Sequence, residues 1–130
     1  MLPAPISVVA AVIRRDGRYL VGRRPPNKRH GGLWEFPGGK VDVGESMLDA
    51  IRRELIEELA VSTSHIGRTL FSSRDGDTPF VIHFVEVEIE GEPIPREHTE
   101  VAWVTPSELG TLSLAPADAA FVGELNRPGD

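Results

Sequence analysis

Apolar and polar positions follow two different periods along this chain, and the changes of period outline its elements. From Val8 to Arg15 the residues read VVAAVIRR, and Asp16-Gly17 then leads into RYLVGRR. Two apolar runs joined by an Asp-Gly pair predict two strands and a tight turn. The stretch PPNKRHGG, residues 25–32, predicts a loop, because prolines and glycines at both ends defeat regular structure. LWEF then predicts a short strand before Pro37.

Between Ser46 and Leu59 the period lengthens. Leu48, Ile51, Leu55 and Leu59 recur at helical spacing, and Ser46 with Asp49 has the form of a capping box, so a helix is expected. Further on, IGRTLFSS and FVIHFVEVEIE predict strands on either side of the turn-rich RDGDTP. In the second of these, Val81, His83, Val85, Val87 and Ile89 alternate, which places them on one sheet face. VAWVT predicts a last strand, and APADAAFVGEL a C-terminal helix with Pro116 near its start and Asp118 in its first turn. The expected class is α+β: a mixed sheet sandwiched between helices, in α/β/α layers, with no regular βαβ repeat.

Composition narrows the function classes. A chain of 130 residues is expected to form one domain over 1–130. Its net charge of −6 argues against broad binding to DNA or RNA, which needs cationic neutralisation of phosphates. Small phosphorylated substrates stay open, because a bound divalent cation reverses the local field. No apolar run approaches the ~20 residues of a membrane span, and no basic stretch precedes the apolar residues of MLPAPISVV as a signal peptide requires. The absence of cysteine removes disulfides, thiolate metal sites and a Cys nucleophile, and is compatible with a reducing compartment; a cytoplasmic location is expected.

The helix carries the candidate chemistry. Glu54, Glu57 and Glu58 stand at i, i+3 and i+4, so three carboxylates share one face while the leucines share another. Like charges at that spacing cost roughly 0.2–0.5 kcal/mol per exposed pair, and Arg53, four residues before Glu57, relieves part of this. Solvated acidic faces are common on helices. A hard divalent cation is the alternative, since Mg²⁺ prefers carboxylate, carbonyl and water oxygens. Gly38 and Gly39 would then provide a tight turn that brings a carbonyl oxygen to the metal without a Cβ in the way.

The wider spacing decides between the two. Gly39 is followed after five residues by Glu45, and after seven more by RELIEELAV, residues 53–61. This resembles the Nudix box, with one departure: Ala60 stands where the family has Gly, at a helix end where a left-handed residue is common. GRRPPNKRHGGLWEFPGGK and LAPAD resemble the MutT-type branch, especially its bacterial CTP pyrophosphohydrolases.

The resemblance implies a Nudix fold and hydrolysis of a nucleoside triphosphate to monophosphate and pyrophosphate. It implies Mg²⁺, or Mn²⁺ in its place, bound by Glu54, Glu57, Glu58 and the Gly38 carbonyl, with Arg53 orienting the glutamates. Gly39 and Glu45 would be structural, Glu45 bracing the loop–helix junction or simply favoured by the helix dipole. Glu54 and Glu97 are both candidates for the general base and Glu97 for a further metal ligand; Glu97 also reads as a charged loop residue, with Glu100 as a neighbour able to substitute. Arg24 would contact the substrate, Phe36 would line the base pocket, and Asp118 would take the place of an asparagine that reads the base edge. Asp118 reads equally as a helix-start acid. An ionised Asp only accepts, which suits an amino group such as cytosine N4, whereas a protonated one also admits a purine. The expected substrates are CTP, dCTP, modified pyrimidine or oxidised purine nucleotides, the expected assembly a monomer or homodimer, with neither nucleic acid nor membrane as partner. Hydrolysis of ADP-ribose or a dinucleoside polyphosphate, and a non-catalytic nucleotide sensor, are the competing readings.

Overall fold

A computed structural model of the chain describes residues 4–127, so Met1, Leu2 and Pro3 of the N-terminal apolar stretch lie outside the described residues. Strand β1, Ile6–Arg15, turns back through Asp16 and Gly17, both at positive φ (52° and 76°), into β2, Arg18–Arg23. That pair of left-handed residues is the turn geometry whose twist suits a two-residue hairpin. β3, Trp34–Glu35, pairs with β2, and β4, Gly38–Lys40, pairs with β1. Helix α1, Met47–Leu59, comes next, then β5, Ser62–Arg74, and β6, Phe80–Glu90. β7, Glu100–Val104, adds to β2, and two helices close the chain: α2, Pro106–Leu109, and α3, Pro116–Leu125.

The sheet is mixed. Its path runs β3-β2-β1-β6-β5, with β1 and β6 parallel and the other pairings antiparallel. β1 is central and apolar on both faces, which explains the unbroken run VVAAVI. Val9, Ala11 and Ile13 pack with Val85, Val87 and Ile89 under Ile51, Leu55 and Leu59 of α1. Ala10 and Val12 point the other way, with Phe84, Leu109 of α2 and Phe121 of α3. The expected α/β/α layering is therefore present. So is the alternation of β6, although its other face is also covered, by Ile82 and Phe84.

Three local expectations need correction. Gly38 and Gly39 do not form a tight turn: they belong to β4, opposite Ala10 and Val9. Their missing side chains answer to close approach, since a Cβ on Gly38 would run into the Val9 carbonyl and one on Gly39 into the Glu54 carboxylate. Leu48 is 48% exposed, because the buried stripe of α1 is rotated toward Ala50, Ile51, Leu55, Glu58 and Leu59. Ser46 accepts from the Asp49 N–H at 3.1 Å, but this is half a capping box, and the Asp49 carboxylate lies 3.8 Å from Arg52. The complete box belongs to the unanticipated α2, where Thr105 and Glu108 cap each other. Among the described residues no helix is long and apolar enough to cross a membrane.

Candidate active site

A cleft of about 350 Å³ opens where β4, α1 and the segment before β7 meet. Gly38, Gly39, Glu54, Glu58 and Glu97 line it, together with Arg24, Phe36 and Asp118. Eight of the eleven residues singled out from the sequence thus meet at one place. Arg53 and Glu45 stand behind the acidic side, while Glu57 lies outside the cleft lining with a half-exposed side chain. Glu100 is also outside it, paired with Arg23 at 3.3 Å.

Arg53 organises the acidic side. Its Nε and Nη2 donate to the two carboxylate oxygens of Glu45 at 2.8 and 2.9 Å, its Nη1 donates to Glu54 Oε1 at 2.7 Å, and Nη2 also reaches the Lys40 carbonyl at 2.9 Å. Glu57 Oε2 is a more distant partner at 3.5 Å. The hydrogen bonds from Arg53, and then one from the Asp42 N–H, hold the Glu45 carboxyl down at about 2. The contacts of Glu45 are therefore those of a brace between the loop and α1.

Glu54 and Glu58 have the opposite problem. Burial pushes the Glu54 carboxyl up, Arg53 pulls it down, and the charges of Glu57 and Glu97 push it up again. Glu58 is only 5% exposed, and its Oε2 accepts from the Gly38 N–H at 2.9 Å. Burial, then the charges of Glu35, Glu54 and Glu97, raise it to about 9. These carboxylates are crowded enough to favour a positive ion or a proton among them. Among the described residues no three acidic, His or Cys side chains converge into a ready metal group. The donor set is nevertheless all oxygen, and its shared excess of negative charge suits a hard divalent cation.

Elsewhere in the cleft lining, Asp118 is buried and its Oδ2 accepts from the Phe36 N–H at 2.9 Å. Burial is the main reason its carboxyl rises to about 8, with the Glu35 charge adding to it. The Phe36 ring turns away into an aromatic cluster with Tyr19, Phe84 and Phe121, at centroid distances of 6.4, 6.0 and 5.4 Å. Arg24 donates through Nη1 to Glu35 at 3.0 Å and through Nε to the Arg29 carbonyl at 2.6 Å.

Glu35, His98 and Lys28 also line the cleft, and the sequence alone gives none of them a site role. Glu35 joins Arg24 to the buried His98, whose Nε2 lies 2.9 Å from Glu35 Oε2. A signal was present: a glutamate between Trp34 and Phe36 in an apolar strand needs a partner. The partner itself is 63 positions away.

The arrangement combines an anionic wall, an arginine and a buried carboxyl that can present either an acceptor or a proton. The chain as a whole resembles known proteins. The NUDIX domain pattern matches residues 3–125. The CTP pyrophosphohydrolase of Escherichia coli is 39% identical over 116 residues, covering 87% of this chain and 85% of that protein. An 8-oxo-dGTP diphosphatase of Haemophilus influenzae is 34% identical over 124 residues, covering 92% and 90%. Among solved structures, a MutT Nudix hydrolase from Burkholderia pseudomallei superposes with a TM-score of 0.81 at 26% identity, over 95% of this chain and all of that one (100%). Box spacing, layered fold and matches along nearly the whole length converge: this chain belongs to the Nudix family, on its MutT-like side.

Proposed function

We propose that the protein hydrolyses nucleoside triphosphates to monophosphate and pyrophosphate, with cytidine or modified nucleotides as the preferred class. The observation that carries this is that Glu54, Glu58 and Glu97 line one cleft together with Arg24 and Asp118. The relatives named for CTP and 8-oxo-dGTP support the substrate class.

Nudix hydrolases generally need a divalent metal, and here Mg²⁺, with Mn²⁺ as a substitute, is the proposed ion. Glu54, Glu58 and Glu97 would hold it, with Glu57 from the exposed edge of the same helix and the Gly38 carbonyl. When bound, the ion neutralises phosphate charge and makes water a better nucleophile. Arg53 fixes Glu54 through Oε1 and leaves Oε2 as the proton acceptor for the attacking water; this fixed orientation favours Glu54 over the exposed Glu97 as base. Arg24, held in place by Glu35 and the Arg29 carbonyl, supplies positive charge to the triphosphate.

Asp118 keeps Oδ2 on the Phe36 N–H and offers Oδ1 to the base edge. With its carboxyl raised to about 8, it is largely protonated at neutral pH, so Oδ1 can donate as well as accept. A protonated acid serves the ring nitrogen of cytosine and also admits purines.

The test is pyrophosphate release with Mg²⁺ from CTP, dCTP, 5-modified cytidine triphosphates and 8-oxo-dGTP. Release from at least one, with equimolar monophosphate, is the expected result. No release from any of them would overturn the proposal, and monophosphate from ADP-ribose alone would replace it with a different leaving group.

A further inference from the structure

His98 has no part in the chemistry outlined above, yet it borders the cleft and is 7% exposed. Its ring sits where a side chain of β2 would otherwise be. Gly22 pairs with Glu35 on one side and Val101 on the other. An ideal Cβ on Gly22 would lie 2.6 Å from the His98 Cδ2 and Cγ atoms. Residues directly opposite one another in an antiparallel pair point to the same face, so the ring fills the vacancy beside the Glu35 side chain.

There Nε2 meets Glu35 Oε2 at 2.9 Å. An ionised carboxylate only accepts, so Nε2 carries the hydrogen. Among the described residues the buried Nδ1 has no hydrogen-bond partner, so Nε2 makes the ring's one polar contact. Glu35 therefore receives donors from two directions, His98 and Arg24 Nη1.

The backbone around His98 is stitched down as well. The Arg96 N–H donates to the Glu58 carbonyl at 2.9 Å, and the Thr99 N–H to the Arg23 carbonyl at 3.0 Å. Residues 96–99 thus span from the end of α1 to the end of β2, and His98 is the side chain that pins the middle.

Building on the proposed function, we propose that His98 is a positioning residue: through Glu35 it holds Arg24 in the orientation that binds the nucleotide. Without it, Glu35 loses one of its two holds, and Arg24 Nη1 loses a fixed acceptor while its Nε keeps the Arg29 carbonyl. The consequence falls on substrate binding more than on the chemical step.

Steady-state kinetics on the best triphosphate from the screen tests this. His98→Leu is expected to raise KM about tenfold with kcat within about threefold of wild type, the scale of one hydrogen bond to a charged group. His98→Gln, whose amide can donate to Glu35, should recover KM to within about threefold of wild type. The double variant His98→Leu with Glu35→Gln should cost no more than Glu35→Gln alone, because the two act in series. Gly22→Ala, which displaces the ring while leaving the imidazole intact, should raise KM in the same direction, and it carries the test if His98→Leu fails to fold. A purely structural role would lower the melting temperature of the Leu and Gln variants alike, with additive effects in the double variant. Additivity, or an unchanged KM in either folded His98→Leu or Gly22→Ala, overturns the inference. Where wild type releases no pyrophosphate the proposed function falls first and takes the inference with it; normal wild-type turnover with flat KM values defeats the inference alone.

Discussion

Ala60 is held at φ 57° and ψ 35°, a left-handed conformation, at the end of α1. For an L-residue this region costs roughly 1–2 kcal/mol. The next two residues impose the strain: Val61 is buried and β5 starts at Ser62, so the chain must reverse within one residue. Replacing Ala60 with Gly removes the strain but adds about 0.5–1 kcal/mol of chain entropy to lose on folding. Ala60 is partly buried, so its methyl contributes only a few tenths of a kcal/mol of burial, roughly. The helix-ending hydrogen bond, Ala60 N–H to the Ile56 carbonyl at 3.1 Å, survives because it is backbone. The net is a stabilisation of about 0.5 kcal/mol. With an unfolding entropy of about 2.1 cal/mol/K per residue, that raises the melting temperature by roughly 2 °C. Calorimetric scans of wild type and Ala60→Gly in one buffer, without nucleotide, measure it. Ala60→Val should move the other way, since a β-branched residue tolerates positive φ still less well. A Gly variant that melts at or below wild type would refute the reasoning.

Two further outcomes concern the buried carboxyls. Glu58 has a folded-state value of about 9 against an ordinary 4.5, so the folded protein binds more protons than the unfolded chain between these values. Its contribution is greatest below about 4.5 and is lost as pH rises toward about 9. Glu58→Gln should flatten that decline in metal-free thermal melts and, as a proposed ligand, lower turnover on the order of a hundredfold; retained turnover would remove it from the site. Asp118 follows the same sign between 3.8 and about 8. Asp118→Asn, which still offers Phe36 an acceptor, should therefore stabilise the protein at pH 9 relative to wild type, and an unchanged stability–pH curve would show that Asp118 titrates normally.

The elements most legible in the sequence are those whose burial follows a period. β1, β2, β6 and α1 each present a face that the pattern of apolar residues marks, and the box spacing marks the glycines and glutamates of one cleft. The features that escape it depend on tertiary contact. Gly38 and Gly39 advertise backbone freedom, and only the packing of β4 against β1 and Glu54 shows that the glycines serve close approach. Glu58 sits in the buried stripe of α1, where a hydrophobicity pattern expects no carboxylate and puts Leu48 instead. The union of Glu35 with His98 joins the end of β3 to the segment before β7, far apart in sequence, and no local period encodes it.

The crowding of charge explains why these particular contacts are required. Arg53 cannot neutralise the cleft, because its three nitrogens already serve Glu45, Glu54 and the Lys40 carbonyl. Arg24 is likewise taken up by Glu35. Among the described residues neither Glu58 nor Asp118 forms an ion pair; each accepts one backbone N–H, and burial raises both carboxyls, to about 9 and about 8. In the free protein the proton does the neutralising. Ligand that brings positive charge to Glu58 must release that proton, whereas Asp118, held on the Phe36 N–H, can keep its own, as the proposed reading of the base requires. The two buried acids share a cause, desolvation, and differ in their neighbours: Glu58 feels the charges of Glu35, Glu54 and Glu97, Asp118 those of Glu35 and Arg24.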